Sequence, residues 1–133
     1  MLCYTHPMLK IAVCDDNGET AAFLQRSLAA ILSGMGIAHD IAVFHAASSL
    51  YGALKGGKDE FYGVLKDTYA RQLENLDFLY IHAAYAVNFD YVQEMKYDSL
   101  HLSGIDFPLP ITQDRRKEVR DKYTGIRQRR AGG

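Results

Sequence analysis

The strongest constraint on the fold is an abrupt change of pattern early in the chain. Leu9 to Cys14, LKIAVC, is a short continuous apolar run of strand type. Asp15-Asp16-Asn17-Gly18 ends it at once, and Glu19 to Ser33 then carries Ala22, Phe23, Leu24, Leu28, Ile31 and Leu32 at helical spacing. Gly34 and Gly36 stop that helix. Ile41 to Phe44, IAVF, reads as a second strand, and Ser48 and Ser49 can cap a short helix over Leu50 to Leu54. Strand, helix, strand, helix opens an α/β sheet whose parallel strands are joined by right-handed crossovers. Two strands do not complete such a sheet, so this portion must borrow a neighbour.

Lys55-Gly56-Gly57-Lys58 is a break and marks the expected junction between modules. Beyond it, Phe61 to Leu76 reads as a linking helix, with Phe61, Leu65, Tyr69, Leu73 and Leu76 on one stripe. The period then shifts to strands over Phe78 to Tyr85, Tyr91 to Lys96, Ser99 to Leu102 and Phe107 to Ile111. Glu118 to Ile126 reads as a closing helix, capped near Thr112 or Asp114. The predicted class is α+β: a βαβα start, a linking helix, and an antiparallel β meander closed by a C-terminal helix. The predicted segments are 8–57, 58–127 and a flexible tail over 128–133, with Arg127 to Gly133 expected to fray.

Charge is distributed unevenly. From Thr112 onward stand eight bases, Arg115, Arg116, Lys117, Arg120, Lys122, Arg127, Arg129 and Arg130, against Asp114, Glu118 and Asp121. The chain as a whole is at -1, so the tail is near +5 and the remainder near -6. That asymmetry points to an anionic partner, and a solvated helix with a basic end is the competing reading. Cys3 and Cys14 have no metal-ligand spacing and suit buried thiols. No apolar run is long enough to span a membrane, and the first ten residues lack the features of a signal peptide. The expected location is the cytoplasm.

Few residues carry a chemical signature. Gly52 to Lys58 nearly matches the phosphate-binding pattern G-x-x-x-x-G-K, but Asp59 stands where Ser or Thr would hold magnesium, and no strand precedes it. Asp15 and Asp16, at the C-terminal end of a strand, suit a hard cation such as Mg2+. Spacing alone favours a plainer role, in which Asp16 or Asn17 caps the next helix. The five histidines do not gather, and no acid, base and nucleophile converge, so the chain is not expected to be an enzyme and has no expected small-molecule substrate.

Two stretches resemble known families. LKIAVCDDNGETAAFLQRSL is similar to the first strand and helix of a two-component receiver domain, and IAVFHAASSLYGAL to its second. The order FYG at Phe61-Tyr62-Gly63, then Phe78, Ile81-His82, Tyr85 to Asn88, Tyr91-Val92, and LPITQDRRKEV over Leu109 to Val119 resembles the second half of a LytTR DNA-binding domain. Together they resemble a response regulator of the LytR/AlgR family with its middle removed. The resemblance implies Mg2+ at Asp15 and Asp16, and double-stranded DNA at His82, Arg115, Arg116 and Lys117. It makes Phe78 to Met95 a central hairpin whose Asn88 satisfies backbone at the turn.

The departures carry expectations of their own. Ala83 and Ala84 cannot donate to phosphate or bases, and Asp114 would face phosphate unfavourably. A third receiver strand, with its phosphoacceptor, is expected to be absent between Leu54 and Phe61. The leading expectation is therefore a DNA-binding transcriptional regulator of two-component type without a phosphoacceptor. The alternative is an interaction module that associates with an intact response regulator and modulates it. Open strand edges add a homodimer to either reading.

Overall fold

The computed structural model describes residues 8–57, 60–66, 73 and 75–132. The chain is α+β and divides into two compact units, Met1–Lys66 and Asp67–Gly133.

The N-terminal unit is built on β1 (Leu9–Cys14), α1 (Gly18–Gly34), β2 (His39–Phe44), α2 (Ala47–Gly57) and β3 (Gly63–Lys66). β1 lies between β2 and β3 and is parallel to both, with Ile11 opposite Ile41 on one side and Gly63 on the other. A central parallel strand is covered on both faces, and Ala12 and Val13 are accordingly fully buried. α1 starts where Asn17 holds extended backbone and its Oδ1 accepts from the Thr20 N–H at 3.0 Å. It stops as the spacing predicts. Gly36, at φ +72°, donates to the Ser33 carbonyl and Ile37 to that of Leu32, which closes the last turn. α2 is longer than expected, and Gly52 to Gly57 lie inside it as helix rather than as a phosphate-binding loop.

The third strand corrects two expectations. The linking helix over 61–76 is replaced at Gly63–Lys66 by β3, and a third parallel strand is therefore present. The reason is tertiary. β1 offers a row of backbone donors and acceptors, and the GVLK stretch can satisfy it while burying Val64 completely. The Tyr62 N–H donates to the Lys10 carbonyl at 2.8 Å, and the Lys10 ammonium pairs with Glu60 at 3.0 Å, which sets the strand's entry. The rest of the expected helix, residues 67–72 and 74, lies outside the described residues; so does Asp67, the next residue after β3.

The C-terminal unit contains β4 (Phe78–His82), β5 (Tyr85–Asn88), β6 (Val92–Met95), β7 (Ser99–Leu102), β8 (Leu109–Pro110) and α3 (Arg116–Gly132). β4 and β5 form an antiparallel hairpin, with Phe78 opposite Asn88 and His82 opposite Tyr85. β6, β7 and β8 form an antiparallel three-stranded sheet in that order. Phe78, Tyr80, Ile81, Leu100, Ile111 and Val119 are among the side chains buried in this unit. α3 packs on β4 and continues through the segment expected to fray.

The C-terminal half of α3 is held by a clasp. Asp77 accepts from Arg129 at 2.6 Å and from Arg130 at 2.8 Å. Arg130 also pairs with Asp90 and lies over the Phe89 ring at 4.8 Å, and Phe89 meets Tyr123 at 5.4 Å.

Candidate nucleic-acid interface

The hairpin of β4 and β5 turns at Ala83 and Ala84, and this turn sets the position of His82. The His82 Nδ1 accepts from the Ala84 N–H at 3.0 Å, so Nδ1 carries no proton and the neutral ring holds its proton on Nε2. The ring stacks on Tyr85 at 5.0 Å with planes 10° apart. His82 thus stabilises its own turn and keeps one donor, Nε2–H. Asn88 is fully buried and its Oδ1 accepts from the Asp90 N–H at 3.0 Å, so it does satisfy backbone. The expected hairpin over Phe78 to Met95 with Asn88 at its turn is corrected: the hairpin is Phe78 to Asn88, it turns at Ala83 and Ala84, and Asn88 ends β5 opposite Phe78.

A register shift between Tyr80 and His82 breaks the hairpin ladder. The segment leading into α3 takes up the carbonyls there. The Thr112 N–H donates to the Ile81 carbonyl at 3.0 Å, and its hydroxyl to the same oxygen at 3.3 Å. The Arg115 Nε donates to the Tyr80 carbonyl at 3.1 Å and its Nη1 to Glu118 at 2.9 Å. With a side chain only 14% exposed, Arg115 is a latch that positions the start of α3.

Arg116 reaches back, its Nε donating to the Ile111 carbonyl at 3.0 Å, while the Ile111 N–H donates to the Asp98 carbonyl at 2.9 Å. These bonds draw the β6–β7 turn, Lys96 to Asp98, against the start of α3. There the Arg120 guanidinium lies over the exposed Tyr97 ring at 5.5 Å. Lys117 is exposed and has no ion-pair partner among the described residues. Arg116 and Lys117 are adjacent on α3, Arg120 lies one turn on from both, and Tyr97 lies beneath Arg120.

Of the four residues expected at DNA, Arg116 and Lys117 fall on this surface. Arg115 is turned inward, and His82 sits at the hairpin end that Thr112 joins. Sequence reasoning missed Tyr97 and Lys96, because nothing local links the β6–β7 turn to residues 111–120. A tyrosine followed by Asp between two strands, with Lys before it, was the available signal. The acids nearby are Asp98, Asp114, Glu118 and Asp121; Glu118 is occupied by Arg115, and Asp121 meets Arg120 at 3.5 Å. Arg129 and Arg130 lie in the clasp described above, so two bases of the cationic tail are neutralised internally.

The acidic pair of the N-terminal unit is separate. Asp15 is buried at the end of β1, and its Oδ1 accepts from the Asn17 N–H at 2.9 Å. Asn17 is the helix cap, Asp16 is exposed, and the His45 Nδ1 approaches the Asp15 carbonyl at 3.3 Å. The strand order reverses direction at β1, and the crevice beyond such a point is where open α/β sheets take ligands. Asp15 and Asp16 are carboxylates suited to Mg2+ there, although no group of three or more His, Cys, Asp or Glu gathers among the described residues.

No described helix is long and apolar enough to cross a membrane. No protein-family model, curated protein or solved structure matches the chain.

Proposed function

We propose that the C-terminal unit docks double-stranded DNA and that the protein is a cytoplasmic transcriptional regulator of two-component, LytTR type. One observation carries the reading: the Arg120 guanidinium over Tyr97 beside Arg116 and Lys117. Clustered cations suit phosphates, and an exposed aromatic under one of them suits a sugar or base edge. His82 contributes its Nε2–H, and Arg115 acts as a positioning residue. Asp114 at the mouth opposes phosphate, so Arg116, Lys117 and Arg120 carry the affinity.

In the N-terminal unit, Asp15 and Asp16 are the proposed Mg2+ ligands. β3 supplies a third parallel strand, and the regulator is proposed to act without a phosphoacceptor. Acetyl phosphate labelling, read by intact mass and mapped to a residue, decides the point.

The test of DNA docking is fluorescence anisotropy of a labelled duplex across a salt series. Affinity should fall with salt by about 0.9 log units per phosphate for each log unit of salt. Arg116→Ala with Lys117→Ala should weaken binding and flatten that slope. A folded protein that ignores duplex DNA at low salt would sink the reading. The second reading, an interaction module acting on an intact response regulator, draws on the open edge of β2 and would then lead.

A further inference from the structure

The cations of α3 are preceded by an amide and an acid. Gln113 to Arg115 form a single 3-10 turn, closed by the Arg116 N–H donating to the Gln113 carbonyl, and α3 follows at once. Residues three apart eclipse in such a turn, so Gln113 stands directly before Arg116, and Arg120 lies one turn beyond. Gln113 and Asp114 are both exposed, and neither side chain meets a partner among the described residues. Thr112 makes no side-chain cap there, its hydroxyl donating to the Ile81 carbonyl instead.

The neighbours are limited in what they can recognise. Arg115 is held by the Tyr80 carbonyl and Glu118. His82 offers one donor, Nε2–H, and Ala83 and Ala84 at the hairpin turn bring no polar side-chain atom. Asp114 only accepts, and Arg116 and Lys117 only donate. Gln113 alone of these presents a donor and an acceptor side by side. Charge separates its task from theirs. Asp114 beside it disfavours a phosphate at this point, while Arg116, Lys117 and Arg120 favour phosphates one turn away. Cations on the rim and a neutral amide ahead of them match a groove, where phosphates flank and base edges lie between.

We infer that Gln113 is a specificity-determining residue that reads an adenine in the major groove, its side-chain NH2 donating to N7 and its carbonyl accepting from the N6 amine. This rests on the DNA-docking reading and adds a base to it. The major groove fits on two counts. It is about 12 Å wide, which admits a helix about 10–12 Å across. Adenine also shows its acceptor and donor next to each other there, whereas an A·T pair shows acceptors alone in the minor groove. Guanine presents two acceptors, N7 and O6, and would set the Gln113 carbonyl against an oxygen.

The experiment is fluorescence anisotropy of the full chain on three labelled duplexes of equal length. One is built of A·T pairs. In the second, inosine·cytosine pairs replace them, which keeps the minor-groove pattern of A·T and shows the major-groove pattern of G·C. In the third, 7-deazaadenine replaces adenine and removes N7. The A·T duplex should bind about fivefold or more tightly than either of the others. Gln113→Ala, at an exposed position, should bring the three affinities together while the salt slope and the far-UV circular dichroism spectrum stay as in wild type. A wild-type protein that binds the A·T and inosine·cytosine duplexes equally overturns the inference and leaves DNA docking standing. A Gln113→Ala protein that keeps the wild-type preference does the same. A folded protein that binds none of the three at low salt overturns both.

Discussion

The carboxylate of Asp77 accepts from the Arg129 guanidinium at 2.6 Å, across 52 residues of sequence. Arg130 joins the same oxygen at 2.8 Å. This relationship joins the residue before β4 to the last turns of α3. It also removes two arginines from the count of cations offered to an anionic partner. Asp77 stands at φ +64°, a left-handed conformation that Asp and Asn tolerate better than most residues.

Asp77→Asn keeps the backbone preference and removes the charge. It should destabilise the protein by roughly 1 kcal/mol, because both arginines are partly solvated. At this chain length the melting temperature should fall by about 4 °C. Amide exchange should quicken in the last turns of α3 and stay unchanged in α1. Equal exchange throughout α3 in both proteins would mean that the clasp does not hold the helix end.

The same pair sets a pH dependence. Burial raises the Asp77 carboxyl, but hydrogen bonds and charge from Arg129 and Arg130 outweigh it and hold the group below its ordinary value. The folded value is then lower than the unfolded one, so the unfolded chain takes up the proton first as pH falls. The contribution is complete above about pH 4 and is lost as pH drops through the lowered value. Denaturant titrations should show the difference between wild type and Asp77→Asn shrinking below about pH 4.

Arg120→Ala and Tyr97→Ala should each reduce duplex affinity several-fold while leaving the fold intact. Arg129→Ala should do the opposite, lowering stability with little change in affinity at a temperature where the protein is folded. Anisotropy and thermal melts on the three variants separate the roles. Equal loss of affinity in all three would mean that bulk positive charge, rather than the surface at the start of α3, binds the DNA.

Arg115→Lys tests the latch. Lysine keeps the charge but cannot donate from an Nε fork to the Tyr80 carbonyl and to Glu118 together. The expected cost is about 1 kcal/mol of stability in chemical denaturation. A variant as stable as wild type but weaker on DNA would instead make Arg115 a contact residue.

At the mouth of the N-terminal sheet, the cap and the metal make different forecasts. Asn17→Ala should cost about 1 kcal/mol through loss of the bond to the Thr20 N–H, with or without magnesium. Asp16→Asn should leave stability nearly unchanged in chelator but cancel any rise in melting temperature produced by Mg2+. If Mg2+ produces no rise in the wild-type protein, Asp15 and Asp16 are parts of the helix entry alone.

Much of this architecture is legible in local pattern. Leu9–Cys14, the stop at Asp15 to Gly18 and the Gly36 closure of α1 are local matters, decided by strand propensity, a capping side chain and a glycine that tolerates positive φ. That Asn88 serves backbone was legible, and its place at the end of β5 rather than at the hairpin turn was not. β3 was not. Phe61 to Leu76 has a helical stripe, and the outcome at Gly63–Lys66 rests on the open edge of β1, which no window of sequence contains.

The cations show the same division. The sequence by itself determined that eight bases cluster after Thr112, and that an acidic pair follows the first strand. Only the tertiary structure decided what each base does. Arg115 turns inward because a register shift in β4 exposes carbonyls to it, Arg129 and Arg130 close on Asp77, and Arg120 meets Tyr97. A guanidinium makes hydrogen bonds wherever folding brings an acceptor, and the Tyr80 carbonyl and Asp77 carboxylate lie more than thirty residues from the arginines that reach them.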